Sequence, residues 1–295
     1  MKIEDLYREH KFYCLAERGL QPKHFRETWR ILMDFSQAMD IDAVADIQTA
    51  TVRAYLQQGR RDRDWSAKTF HTYRQYLQSF MNWCLRNGYV SRNPVTAVEK
   101  PRLDRRLPRF LTTEEARKVL FHATYCPWRT AFEKSRNPTI LATFLMTGLR
   151  LQELINLTTT DIDLKTGEIW VRQGKGRKDR IVPIYERLHP ILQVYLSTKL
   201  RLKKYSDAFF PGSFALKPLQ PRDIYRICRR VGTQAGVKFS PHMLRHTFGR
   251  EMIENDFPIY KLMEIMGHSS ITTTQIYLSV SRQSLRKSFK DVSLY

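Results

Sequence analysis

The sequence lacks any apolar run long enough to cross a bilayer, and it has no segment at Met1-Lys2-Ile3-Glu4-Asp5 suited to a signal peptide. It is also poor in cysteine and contains no Cys-x-x-Cys pair. This pattern argues against both a disulfide framework and a zinc site. We therefore expect a cytoplasmic protein without a membrane partner, in which four thiols stay reduced. These cysteines are Cys14, Cys84, Cys126 and Cys228.

Acidic residues are scarce relative to basic ones. Lys and Arg number 50 against 29 Asp and Glu, which gives a net charge of +21 and indicates a polyanionic partner, with nucleic acid as the leading candidate. Residues 1–100 hold 16 basic and 12 acidic side chains, whereas residues 101–295 hold 34 and 17. The second part should bind phosphate more strongly. A ribosomal or membrane-surface protein would also carry such a surplus, so charge alone does not establish catalysis.

The length of 295 residues predicts two domains, and the first, residues 1–90, reads as a small helical domain. Apolar residues recur there at helical spacing. Gly19 and Gly59 are predicted to follow the first and third helices, Ser66 to cap a helix start, and Asn87-Gly88 to end that helix. The two stripes are Phe25, Trp29, Leu32 and Phe35, and Phe70, Tyr73, Leu77, Phe80 and Cys84.

Residues 91–110 are rich in proline and basic side chains and show no apolar periodicity, which predicts an interdomain linker. The charge could serve only to keep an exposed tether in solution. If the linker joins two domains that bind DNA, we expect its basic side chains to contact the DNA backbone. The candidates are Arg102, Arg105, Arg106 and Arg109.

Residues 111–295 predict a second domain that combines helices with a small sheet. Thr112 and Glu115 form a capping-box pattern for a first helix, and an apolar helix at 139–147 is followed by Gly148. Short strands are predicted at 162–164, 168–172 and 180–184. The fold class is thus mainly α with a small antiparallel β-sheet.

The segment Gly174-Lys175-Gly176-Arg177-Lys178 places a lysine in a glycine turn but lacks the other parts of a nucleotide-binding loop. At a hairpin tip, Lys175 could reach into a DNA groove or donate a proton. Arg177 and Lys178 are further candidates for DNA contacts. An ordinary solvated turn is the alternative.

Ser240 and Pro241 suit the first positions of a helix, which places His242 and Arg245 three residues apart on one face, where both could meet one phosphate. His242 and His246 also have a spacing that zinc ligands use, with His268 as a third. Met243, however, occupies the position of the metalloprotease glutamate. We therefore expect no metal at these histidines.

Six residues in order along the chain resemble the catalytic set of the tyrosine recombinase family, particularly its simple Xer-like two-domain members. The resemblance covers nearly the whole chain, and we expect no arm-binding domain of the kind found in larger phage integrases. It implies that Tyr277 attacks DNA to form a 3′-phosphotyrosyl link. The six are Arg150 in Thr147-Gly148-Leu149-Arg150, Lys175, His242, Arg245, His268 after Gly267, and Tyr277.

The resemblance also assigns roles. Arg150 and Arg245 would supply paired donors to the phosphate and His268 a further hydrogen bond. His242 would assist proton transfer at the tyrosine, and Lys175 would protonate the leaving 5′ oxygen. Glu153, one turn beyond Arg150, would orient the arginine or a neighbouring histidine, although it could be a plain surface residue.

The implied partners are double-stranded DNA recombination sites and three further copies of the chain. Strand exchange would pass through a Holliday junction in a homotetramer on two duplexes, with an accessory protein as an open possibility. An apolar stripe in the C-terminal tail, at Leu285, Phe289 and Val292, would dock on a neighbouring subunit or fold back on its own domain. The alternatives are a type IB topoisomerase and a DNA-binding protein without catalysis.

Overall fold

The computed structural model describes residues 1–19, 22–103, 108–172, 179–214, 216–268 and 270–278. The chain divides into two compact units, Met1–Arg105 and Arg106–Tyr295. Across the described ranges, no helix combines the length and the apolar character that a membrane span requires.

In its described residues, the first unit has four α-helices around one apolar core. Ser66 caps the fourth helix by accepting a hydrogen bond from the Thr69 amide, as predicted. The prediction that Gly59 ends the third helix is wrong, because the helix continues past it. A Cβ at Gly59 would lie 2.2 Å from the Trp65 ring, so the glycine makes room for that indole. The helices are α1 Ile3–Ala16, α2 Pro22–Met39, α3 Thr49–Asp62 and α4 Ala67–Arg86.

The first part of the predicted linker packs against α4. Val95 and Val98 are buried in the core of the first unit. The buried Arg74 donates to the carbonyls of Val98 at 2.7 Å and Val95 at 3.0 Å. This segment lacks apolar periodicity, and hydrogen bonds from the Arg74 guanidinium to its backbone carbonyls hold it against α4. Arg102 and Arg109 are exposed, whereas the calls on Arg105 and Arg106 lie outside the described residues.

The second unit is mainly helical and carries one small sheet, which confirms the predicted fold class. The strands, β1 Ile162–Asp163, β2 Glu168–Val171 and β3 Arg180–Pro183, are antiparallel in the order β1-β2-β3. They match the predicted strands to within a residue at each end. The helices are α5 Thr113–Tyr125, α6 Ala131–Thr147, α7 Leu151–Asn156, α8 His189–Arg201, α9 Pro221–Ala235, α10 Pro241–Glu254, α11 Ile259–Met266 and α12 Thr272–Leu278.

Helix α6 begins eight residues before the apolar segment that predicted it. Thr130 caps its start, and Pro138 lies inside the helix. Arg136 and Asn137 are polar yet buried in the second turn, where Arg136 donates to the Pro211 carbonyl at 2.7 Å. The capping box of Thr112 and Glu115 at the start of α5 is present as predicted.

Candidate active site

The turn between α6 and α7 sets the position of Arg150. Gly148 takes a left-handed conformation (φ +63°), and a Cβ there would lie 2.4 Å from the Phe248 ring of α10. Glycine therefore allows the turn to sit against α10. Arg150 then caps α7, and its guanidinium donates to Glu153 at 2.7 Å and to the Gly267 carbonyl.

Glu153 is buried between two arginines. Its carboxylate accepts two hydrogen bonds from Arg180 of β3, at 2.9 and 2.8 Å, and one from the Arg150 backbone at 2.8 Å. Burial by itself would raise the pKa of Glu153, but the hydrogen bonds and positive charge of Arg180, with those of Arg150, lower it to about 2. The carboxylate is therefore ionised and holds both guanidinium groups in place.

Arg245 reaches into the protein from α10, with only 5% of its surface exposed. It donates to the Gly148 and Met266 carbonyls, the latter at 2.7 Å, and lies 2.9 Å from His268 Nε2. Because a guanidinium only donates, His268 Nε2 is an acceptor, and His268 Nδ1 then donates to Thr274 at 2.8 Å. Burial, followed by the charge of Arg150, lowers the pKa of Arg245 to about 10.

Tyr277 is almost fully buried, with 1% of its surface exposed, and its ring lies on α10 at Gly249. A Cβ at Gly249 would come within 2.7 Å of the Tyr277 ring. The hydroxyl is 3.0 Å from Nδ1 of His246, and the ring is nearly parallel to that of His268, with 6.5 Å between centroids. The tyrosine is thus fixed by a small residue beneath it and two histidines around it.

Electrostatics keep this cluster in a definite protonation state near neutral pH. Burial raises the pKa of Tyr277 to about 12, opposed in part by the charge of Arg245. Burial and nearby positive charge, Arg245 first, lower the pKa of His268 to about 4. The Tyr277 phenol therefore keeps its proton, and the His268 imidazole stays neutral, as long as no charged ligand binds in the cluster.

The structure brings four of the six predicted catalytic residues into one cluster. Arg150, Arg245 and His268 meet around the turn that ends α11, and Tyr277 stacks on His268. His242 is exposed on the first turn of α10. The calls on Lys175, Arg177 and Lys178 lie outside the described residues.

Two residues of the cluster were missed from the sequence as members of the site. Arg180 looks like the start of an ordinary strand, and nothing local reveals that it meets Glu153. His246 was considered only as a metal ligand, although it contacts the Tyr277 hydroxyl. Its position one turn after His242 on the same helix face was the available signal. The described part of the chain holds no group of three or more side chains arranged to bind a metal.

Comparison with known proteins gives a consistent result. Residues 109–284 match the Phage integrase family. The chain is 32% identical to "Tyrosine recombinase XerA" of Thermococcus onnurineus, over 97% of this chain and 94% of that protein. It is 31% identical to "Tyrosine recombinase XerD" of Staphylococcus aureus, over 97% and 98%. A crystal structure of the XerH site-specific recombinase bound to a palindromic difH substrate superposes with a TM-score of 0.75 at 20% identity, covering 97% of this chain and 84% of that one.

With these relatives, the class of the protein is defined: it is an enzyme of site-specific DNA recombination. The chain belongs to the phage integrase family and is a tyrosine site-specific recombinase.

Proposed function

We propose that the enzyme cleaves and rejoins DNA through Tyr277. The phenolic oxygen attacks phosphorus, the bond from phosphorus to the 5′ oxygen breaks, and a 3′-phosphotyrosyl link and a free 5′ hydroxyl result. The single observation that supports this assignment is the placement of Tyr277, whose ring stacks on the same His268 that Arg245 contacts. A nucleophile beside fixed cationic donors suits attack on a phosphodiester.

The surrounding residues take roles that follow from their chemistry. Arg150 and Arg245 bind the nonbridging oxygens of the phosphate, exchanging their present carbonyl contacts for an anion. His268 exchanges its contact with Arg245 for a hydrogen bond that its protonated Nε2 donates to the phosphate, and Lys175 protonates the 5′ oxygen as it leaves. Glu153, held between Arg150 and Arg180, orients the arginine. The reaction needs no metal or other cofactor.

The covalent step is tested with a nicked suicide substrate, from which the cleaved 5′ fragment diffuses away and traps the adduct. We expect the wild-type protein to become covalently joined to the DNA and Tyr277→Phe to remain free, although both bind the duplex. An adduct of the same yield in Tyr277→Phe would place the nucleophile elsewhere. Ligation of the trapped strand to a second duplex separates recombination from the relaxation chemistry of a type IB topoisomerase.

Strand exchange then proceeds through a Holliday junction in a homotetramer on two duplexes. The tail stripe at Leu285, Phe289 and Val292, which lies outside the described residues, docks on the neighbouring subunit. An apolar cavity of about 610 Å³ in the second unit supports this part of the proposal. Its lining includes Leu145, Val182, Phe248, Met252, Phe257 and Ile265.

The DNA partner is a double-stranded recombination site, gripped by both units. The basic stretch between them contributes Arg102, Arg105, Arg106 and Arg109, and the turn around Lys175 contributes Arg177 and Lys178. The support is the net charge of +17 that falls on residues 101–295. An enzyme with this substrate would act in the cytoplasm, at the nucleoid, with or without an accessory protein.

A further inference from the structure

We infer that His246 is a further catalytic residue, which takes the proton of the Tyr277 hydroxyl as the phenolic oxygen attacks phosphorus. The inference rests on the proposed function, because it takes Tyr277 as the nucleophile. The family resemblance gave assistance at the tyrosine to His242. In the described part of the chain, the Tyr277 hydroxyl lies within hydrogen-bond distance of His246 Nδ1, at 3.0 Å.

The contact has the geometry that proton transfer requires. A distance of 3.0 Å between Tyr277 Oη and His246 Nδ1 lies within hydrogen-bond reach of a general base. The two residues stand on different helices, α10 and α12, and Gly249, three residues after His246, leaves space for the tyrosine ring. The same α10 therefore seats the ring and supplies a partner for its hydroxyl.

The protonation state of His246 suits an acceptor for the Tyr277 proton. Burial, followed by the neighbouring His242 and the charge of Arg245, lowers the pKa of His246 to about 4. Its ring is therefore neutral near pH 7, and with Tyr277 donating, Nδ1 is unprotonated and Nε2 carries the ring hydrogen. His268, the other imidazole beside Tyr277, is already engaged through Nε2 with Arg245 and through Nδ1 with Thr274.

Bound DNA changes the balance between the phenol and the imidazole. In the protein alone, a phenol with a pKa of about 12 keeps its proton against an imidazole with a pKa of about 4. The phosphate anion offsets the charge of Arg245, which favours a protonated His246. Bond formation to phosphorus makes the phenol more acidic at the same time. Proton transfer is thereby coupled to the presence of the substrate.

The step balances in both directions. In cleavage, the O–H bond of Tyr277 breaks, the proton passes to His246 Nδ1, the bond from oxygen to phosphorus forms, and the 5′ oxygen departs with a proton from Lys175. In rejoining, the 5′ hydroxyl returns its proton to Lys175 and attacks phosphorus, the bond from phosphorus to the Tyr277 oxygen breaks, and His246 gives its proton to that oxygen.

The first test compares His246→Asn with His246→Ala by the single-turnover rate of adduct formation on the suicide substrate. Asn keeps a polar group near the place of Nδ1 but accepts no proton. We expect both variants to slow cleavage on the order of 10²-fold, the usual contribution of a general base, with DNA affinity unchanged. The control is His122→Asn on α5, a histidine that contacts Phe121. Wild-type cleavage by His246→Asn would overturn the proposal, because the imidazole would then only position the ring.

The second test identifies the atom at which His246 acts. A substrate with sulfur in place of the scissile 5′ oxygen has a leaving group that needs no proton, since a thiol is far more acidic than an alcohol. We expect this substrate to restore cleavage in Lys175→Ala and to leave His246→Asn slow. Recovery of His246→Asn would place its action at the leaving group and overturn the proposal. A variant that is merely misfolded would not show this selective response.

The two proposals fail in different ways. If Tyr277→Phe still forms the adduct, the proposed nucleophile is wrong, and the role of His246 falls with it. If Tyr277→Phe is inactive while His246→Asn cleaves at the wild-type rate, the proposed function stands and only the role of His246 is lost.

Discussion

Arg180 on β3 and Glu153 on α7 form a bidentate ion pair, in which two guanidinium nitrogens donate to the two carboxylate oxygens at 2.9 and 2.8 Å. Both side chains are more than nine-tenths buried. The Nε of Arg180 also donates to the Ile265 carbonyl at 2.7 Å. One side chain of the sheet thus contacts both the carboxylate that pairs with Arg150 and the helix that precedes His268.

Arg180→Lys should destabilise the second unit and slow cleavage. DNA affinity should fall less than the cleavage rate. A lysine keeps the charge but cannot donate in two parallel directions, so we expect a loss of roughly 1–3 kcal/mol, below the ~3–5 kcal/mol for removing one partner of a buried pair. Denaturant unfolding and the adduct rate measure the two effects.

The matched control for Arg180→Lys is Arg172→Lys. Arg172 also pairs with a carboxylate, Asp161 at 2.7 Å, but its side chain is 64% exposed. Asp161 itself is buried, but it also accepts hydrogen bonds from Thr158, and the Arg172 side chain lies largely in solvent, so this variant should lose no more than about 1 kcal/mol. Equal losses in the two variants would contradict a special role for the buried pair.

Gly249→Ala should reduce cleavage by displacing Tyr277. Alanine by itself favours a helix by about 1 kcal/mol over glycine, so a helical position would normally gain stability. Here the added Cβ would lie 2.7 Å from two atoms of the Tyr277 ring, and either the ring or the helix must move. We expect a loss of adduct formation together with a lower melting temperature.

Gly212→Ala provides the comparison, because the nearest atom to its Cβ would be the Lys217 carbonyl oxygen at an ordinary 3.6 Å. It should cleave DNA at the wild-type rate. Normal activity in Gly249→Ala would show that the observed position of the Tyr277 ring is not needed for attack.

Local features of this protein could be predicted from the sequence, whereas contacts between distant segments could not. The strands around Gly167 and the cap at Ser240 depend on a few adjacent residues, and the structure has both. The pair of Arg180 and Glu153 joins residues 27 positions apart, and the contact between His246 and Tyr277 joins residues 31 apart. No periodicity encodes such contacts, because the first depends on where β3 lies against α7 and the second on how α10 packs against α12.

The stability of the protein should fall as the pH is lowered from about 6.5 towards 4. Burial, with smaller effects of His24 and Arg86, lowers the pKa of His10 from 6.5 to about 4. The unfolded chain therefore binds more protons in this window, and the free energy of unfolding decreases as the pH falls through it. The same sign holds for His246 and His268, whose pKa values are also lowered to about 4.

His10→Leu isolates one part of this dependence, since leucine fills similar space beside Phe80 and Trp83 without a titrating group. Calorimetry across the window should show a shallower loss of stability than wild type. His122→Leu on α5 is the matched control for the exchange of a histidine for a leucine. An unaltered slope in His10→Leu would mean that protonation of His10 does not oppose folding.

DNA binding should weaken steeply as salt is raised, because each phosphate contact releases condensed counterions. Arg102 is exposed near the C-terminal end of the first unit, and Arg102→Gln should reduce the slope of log affinity against log salt by about 1. Arg8→Gln is the control, since Arg8 lies 4.0 Å from Asp5 on α1. If the DNA affinity of the wild type did not change with salt concentration, binding through many phosphate contacts would be contradicted.

Truncation after Val280 should separate cleavage from synapsis. The deletion removes the apolar stripe at Leu285, Phe289 and Val292 but keeps the Tyr277 cluster. If the stripe docks on a neighbouring subunit, adduct formation on a single site should persist, while pairing of two duplexes, followed by gel mobility, should be lost. Phe257→Ser, which alters the cavity proposed to receive the stripe, should cause the same loss in the full-length chain. Unchanged synapsis after truncation would rule out the exchange, and a truncated protein that melts earlier and cleaves poorly as a monomer would indicate that the tail folds on its own domain.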